Sequence, residues 1–277
     1  MKNIKLYIAY LFLSLITISC EEVVDIDLDT AEPKLVIDAS IKWEKETDGR
    51  TQMIKLTTST DYYATTIPNA TGAVVTVTNI SNDIPKTYLF VDTANNGEYV
   101  CNDFECIIGD EYELNIIYKG QNYTGTSVFT STPAIEKIEQ ITKPGFDGED
   151  FIQIKFYFQD NGDDVNYYLG GVKNSTIAFP EYGVITDEFT QGNLMFLSYQ
   201  DDLVKDDIVD YSLQGITKSY SDYMNKLIGL SGAEGGGPFS TAPATIRGNV
   251  INTTDSENYP FGYFQLSETD SGSYIVE

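Results

Sequence analysis

From Leu35 to Trp43 the chain alternates without a break. Leu35, Ile37, Ala39, Ile41 and Trp43 fall on one face, and Asp38, Ser40 and Lys42 on the other. Apolar residues at every second position predict a half-buried β-strand. Met53–Ser59, Ala73–Ile80, Thr87–Val91, Tyr112–Tyr118 and Gln121–Phe129 continue the theme. Turn signals separate these runs at Asp48-Gly49, Pro68-Asn69, Asn95-Asn96-Gly97 and Lys119-Gly120. Lys119-Gly120-Gln121, lying between two strand runs, predicts a hairpin turn.

About seven short strands in about 100 residues predict an immunoglobulin-like β-sandwich over residues 34–131. Gly109-Asp110-Glu111-Tyr112-Glu113-Leu114-Asn115-Ile116 resembles the tyrosine corner of such sandwiches. In that motif the tyrosine hydroxyl ties the start of a strand to the loop before it. Ser131-Thr132-Pro133-Ala134 marks a boundary, and residues 132–277 form a second β-rich domain with one short helix. Its expected strands are Ile135–Ile141, Phe151–Phe158, Tyr167–Val172, Leu194–Tyr199 and Ile208–Leu213. Tyr220, Tyr223, Met224, Leu227 and Ile228 follow helical spacing, so that stripe is expected to pack on the second sheet. Ser219 with Asp222 reads as its capping box and Gly229 as its stop. Ser231–Pro238 follows this helix as a loop and lacks the lysine and the strand-before-helix order of a phosphate cradle.

The N-terminus carries an address. Lys2 and Lys5 precede an apolar run from Leu6 to Ile18, too short to span a bilayer and suited to a signal peptide over residues 1–19. Ser19-Cys20 looks like a bacterial lipobox, which makes Cys20 the lipidation site. Thr17 stands where leucine is usual. Residues 20–33 then read as a lipidated acidic tether. The acids Glu21, Glu22, Asp25, Asp27 and Asp29 look like the export signal that sends Bacteroidota lipoproteins to the cell surface. The expected location is the outer membrane, held by the lipid anchor and facing outward. Two or three acyl chains hold such a protein stably, whereas one alone binds marginally.

Charge and composition exclude several functions. With 42 acidic and 17 basic residues the chain carries −25, and loss of Lys2 and Lys5 with the signal makes that −27. Such a chain repels phosphate backbones, so no nucleic-acid partner is expected. The absence of histidine removes Ser-His-Asp and Cys-His nucleophile systems and HExxH zinc sites. With Cys20 taken by lipid, Cys101 and Cys106 are expected to form a disulfide in an oxidising envelope. Two thiols four residues apart without histidine supply no tetrahedral metal set. No metal and no cofactor are expected.

Candidate binding groups are few. Asp160, Asp163 and Asp164 supply oxygens in a turn but miss the EF-hand spacing, so they read as a solvated hairpin tip. Asp147–Asp150 and Asp201-Asp202 read the same way. Tyr62-Tyr63, Tyr167-Tyr168 and Tyr182 are candidate stacking platforms for a sugar or peptide, set against the commoner use of tyrosine in filling cores. Asp29-Thr30-Ala31 and Asp92-Thr93-Ala94 resemble the O-glycosylation acceptor of Bacteroidota, at Thr30 and Thr93.

Phe239-Ser240-Thr241-Ala242-Pro243-Ala244, then Gly248-Asn249-Val250-x-Asn252, then Gly262-Tyr263-Phe264 complete a pattern with the lipobox, the Gly109–Ile116 corner and the Asp160…Asn166-Tyr167-Tyr168 segment. In order and spacing it resembles a family of Bacteroidota lipoproteins catalogued only as a domain of unknown function. The resemblance implies an accessory role beside TonB-dependent transporters and supplies no catalytic residue. The expected function is therefore non-enzymatic, as an accessory or ligand-capturing partner of such a transporter. The alternatives are a surface hydrolase working through paired carboxylates and an adhesion or envelope structural protein.

Overall fold

The computed structural model describes residues 32–61, 64–145, 150–230 and 245–277. The protein is mainly β with one helix among these residues, and Pro33–Glu277 forms one compact unit.

β1 (Leu35–Glu44) buries Leu35, Ile37, Ala39 and Ile41 and turns Asp38 and Lys42 outward, as the alternation requires. β2 (Gln52–Thr58) pairs antiparallel with β1, and β5 (Glu98–Cys101) pairs antiparallel with β2. Facing them is the antiparallel run β4 (Lys86–Phe90), β3 (Val74–Asn79), β6 (Glu111–Tyr118), β7 (Gln121–Thr130). Ile37, Leu56, Val77, Leu114 and Phe129 belong to the single core cluster these strands share. Phe104 enters that core from the β5–β6 loop and is fully buried, with ring centroids 4.6 Å from Tyr88 and 5.5 Å from Tyr112. The β6–β7 hairpin turns on Lys119 and Gly120, with φ of 48° and 76°. Positive φ at both positions is what a two-residue turn needs to match the strand twist. The tie expected at Tyr112 is present: its hydroxyl donates to Glu105 O at 2.8 Å and accepts from Ile107 N at 3.1 Å.

In the second half, β12 (Leu194–Asp201), β9 (Asp150–Gln159) and β8 (Ile135–Pro144) form a three-stranded antiparallel sheet. β10 (Tyr167–Asn174), β11 (Glu181–Thr186) and β13 (Ile208–Ile216) extend the long sheet. Phe156, Val172, Leu197 and Val209 fill the space between the two sheets. β14 (Ile251–Asn252) is a short addition to β7.

β15 (Phe261–Ile275) joins the halves. It runs parallel to β1 over Phe261–Thr269, touches β7 at Leu266 and Ser267, and pairs antiparallel with β13 from Thr269 to Ile275. Its carboxylates also hold the Ser131–Ala134 joint. Thr132 N donates to Glu268 at 3.0 Å and Ile135 N to Asp270 at 2.7 Å.

The helix α1 (Lys218–Leu230) differs from expectation at both ends. Thr217 caps it, accepting from Tyr220 N at 3.2 Å through its hydroxyl, so the cap stands two residues before Ser219. Gly229 lies inside the helix. Tyr220 and Met224 are buried, with Tyr223 and Ile228 packed beside them against Leu169, Ile216 and Tyr263. The expected packing of this stripe on the second sheet is met, except that Leu227 stays exposed.

Candidate functional site

A cleft of about 580 Å³ lies between α1 and the outward face of β1. That volume is in the range of small-molecule sites. The same alternation that sends Ile37, Ala39 and Ile41 into the core sends Asp38, Ser40 and Lys42 into the cleft. α1 supplies Tyr220, Tyr223 and Met224, β15 supplies Tyr263, and β11 supplies Tyr182.

The tyrosines form an organised wall. Tyr220 and Tyr223 stack at 6.0 Å and 16° between planes, and Tyr263 meets each of them at 4.8 Å. Their hydroxyls lie near polar side chains, that of Tyr220 by Ser40 and that of Tyr263 by Ser219 and Thr217. Tyr182 lies over Gly171, where an added Cβ would stand 2.9 Å from its ring. It remains 38% exposed, open to a ligand. Burial raises the pKa of Tyr182, Tyr220 and Tyr223, and the charge of Asp38 adds to the rise in each. Three phenols thus face one carboxylate.

Asp38, Gln214 and Lys42 have capacity to spare in the cleft, Lys42 because its ammonium forms no ion pair among the described residues. Asp38 makes no ion pair and no side-chain hydrogen bond among the described residues. Lys55, opposite it on β2, reaches away to Glu98 at 3.1 Å. Gln214 is 2% exposed, and its Oε1 has no partner among the described residues. A buried carbonyl oxygen left without a donor costs roughly 1–3 kcal/mol.

The residues singled out from the sequence fall elsewhere, apart from Tyr182. Cys20, Thr30, Tyr62, Tyr63, Asp147–Glu149 and the stretch 231–244 lie outside the described residues. Thr93 is exposed in the bend between β4 and β5. The expected Cys101–Cys106 bridge is not formed, and both are free thiols. Cys101 Sγ donates to Asp103 at 3.2 Å and Cys106 Sγ to Gly49 O at 3.5 Å, with the side chain of Phe104 driven into the core between them in sequence. Burial pushes the Cys101 thiol up to about 11 and the Cys106 thiol up to about 12.

Asp160 is not the solvated turn residue it was expected to be. It is buried, accepting from the Tyr168 hydroxyl at 2.6 Å and from Gly192 N at 2.8 Å. It stands close to the fully buried Asp187, whose Oδ2 has no partner among the described residues and whose carboxyl is pushed above the usual range by burial and then by the Asp160 charge. Protonation of Asp187 relieves the repulsion. Asp163 and Asp164 are exposed. Tyr168 is buried, and Tyr167 donates to Glu188 at 2.9 Å. Among the described residues no group of three or more Cys, Asp or Glu is placed to hold a metal ion.

In the sequence the tyrosine stripe of α1 reads first as packing and second as a partner-binding face, and Tyr263 appears only within a motif. Asp38 was one polar residue of an alternating strand. The clue to the cleft was the polar face of β1 standing opposite a second amphipathic element, which one-dimensional spacing does not reveal.

Fold and site together define a mainly-β sandwich protein with one helix laid beside a tyrosine-walled cleft. The chain belongs to the family described as Domain of unknown function (DUF4249), which matches residues 21–273. No curated protein matches it. Among solved structures it is similar to a chain from "Structural basis of neurohormone perception by the receptor tyrosine kinase Torso". The identity is 16%, over 59% of this chain and 63% of that one, with a TM-score of 0.22. A likeness that slight bears on neither fold nor function.

Proposed function

We propose that this protein is a lipid-anchored outer-membrane lipoprotein of the cell surface that captures a small ligand in the α1 cleft and serves a TonB-dependent transporter without chemistry of its own. The cleft carries the reading: an open, aromatic-walled cavity whose unpaired carboxylate and buried amide oxygen both seek donors. Lipid at Cys20 and the acidic tether that follows support a position beside the membrane. The hydrolase alternative draws on the Asp160–Asp187 pair, but both carboxyls are buried and Asp160 is already engaged by the Tyr168 hydroxyl and Gly192 N.

Affinity purification of the tagged protein from detergent-solubilised outer membranes of its source cell tests the reading. Recovery of a TonB-dependent transporter is expected, together with loss of membrane retention and of fatty-acid labelling in Cys20→Ala. Equal labelling of the variant, or turnover of a substrate that an Asp or Glu substitution abolishes, overturns it.

A further inference from the structure

The cleft has a polarity as well as a shape. Asp38 is the one carboxylate among the described lining residues, its charge felt by Tyr182, Tyr220 and Tyr223, and its cross-strand neighbour Lys55 is committed to Glu98. Lys42 lies four residues further along β1. At about 3.3 Å per residue the Asp38 and Lys42 backbones stand about 13 Å apart along the strand, and the two side chains form no ion pair. An unpaired carboxylate among aromatic rings attracts a cation twice, by charge and through the quadrupole of the ring faces. Asp38 and Gln214 Oε1 are acceptors without a partner among the described residues, whereas the Lys42 ammonium, also in the lining, is an unpaired donor. The two acceptors ask for N–H donors. The Tyr220–Tyr223–Tyr263 wall with Met224 offers apolar contact to the ligand's body.

We infer that the α1 cleft binds an organic ammonium ion: a primary amine with a small apolar or aromatic body, its nitrogen at Asp38 between Tyr182 and Tyr220 and within reach of Gln214. This deepens the ligand-capture reading and rests on it. A neutral sugar stacked on the same tyrosines is the competing occupant. It would use the ring faces and gain little from the carboxylate's charge.

Titration of the purified chain with phenethylammonium, 2-phenylethanol and methyl glucoside, followed by calorimetry and by NMR shifts of the tyrosine rings, separates the two. Phenethylammonium is expected to bind about tenfold or more tightly than its neutral alcohol, a charge-dependent gain of about one decade. Asp38→Asn is expected to abolish that preference while leaving binding of the alcohol unchanged. Tyr182→Ala weakens both. Asp38 and Tyr182 are exposed, so unaltered melting curves verify that the variants fold. Equal affinity for amine and alcohol, indifference of amine binding to Asp38→Asn, or binding of the glucoside alone overturns the inference while leaving capture of a ligand in place. Binding of no probe overturns it too, and the membrane pull-down then decides the wider reading separately.

Discussion

Two of the aromatic clusters among the described residues are built differently. In the sandwich, Phe104, Tyr88, Phe90, Tyr112 and Phe129 are all buried, and the Tyr112 hydroxyl is spent on the backbone of its own loop. Beside α1, Tyr220, Tyr223 and Tyr263 pack on one another but line open space, and Tyr182 faces it exposed. Composition does not tell the two apart, since both draw on tyrosine from alternating or helical runs. The difference is what stands opposite: another apolar strand face in the first case, the polar face of β1 in the second. The first cluster holds the fold, and the second is free to hold something else.

The largest test of that contrast is Phe104→Ala. Removing a fully buried ring that three aromatic neighbours surround is expected to cost about 3–5 kcal/mol in urea unfolding. Tyr182→Ala at the cleft is expected to stay within about 0.5 kcal/mol of the parent. Equal losses at the two positions would break the distinction. Tyr112→Phe keeps the ring and removes the tie to Glu105 and Ile107, and an expected loss of about 1–2 kcal/mol is read from the same midpoint. Thr217→Ala removes the cap of α1, at about 1 kcal/mol. Its hydrogen-exchange signature should be confined to α1, with the sandwich protected as before.

A smaller effect follows from the Asp160–Asp187 pair, which belongs to the sealed side of the comparison. The folded protein raises the Asp187 pKa, so the proton on Asp187 stabilises fully below the unfolded carboxyl value of about 4. That contribution is lost as pH rises through the raised value. Asp187→Asn keeps a donor toward Asp160 at every pH. Its melting temperature is expected to gain on the parent between pH 4 and pH 8, and a constant difference would show that Asp187 does not hold its proton in the folded state. Cys101 and Cys106, raised by burial to about 11 and about 12, should react with iodoacetamide at pH 8 about 100-fold more slowly in the native protein than after unfolding. Failure of the unreduced, unfolded chain to react at either position would restore the disulfide.

Much of the fold was legible because period-two alternation encodes which face of a strand is buried. β1, β2, β3, β6, β7, β9 and β13 fall within a few residues of where the pattern put them. The Lys119-Gly120 turn and the Tyr112 tie were legible for the same local reason, since each is specified by adjacent residues. β15 was not legible. Gln265, Ser267, Glu268 and Thr269 are polar yet buried, because neighbouring strands flank them on both edges and their side chains meet protein instead of water. The helix cap was misplaced by two residues because Thr217 and Ser219 are both good cap residues, and only the path of the chain out of β13 selects between them.

By itself, then, the sequence determined a β-rich body, its hairpins, an amphipathic helix and a family pattern, all from signals that act over a few residues. Only the tertiary structure decided that β15 would run beside β1, 220 or more positions away in the chain, and lay α1 along the outward face of Asp38 and Ser40. The physical reason is that a cleft is made by two surfaces. Periodicity states which face each element presents, and only long-range pairing states which two faces meet.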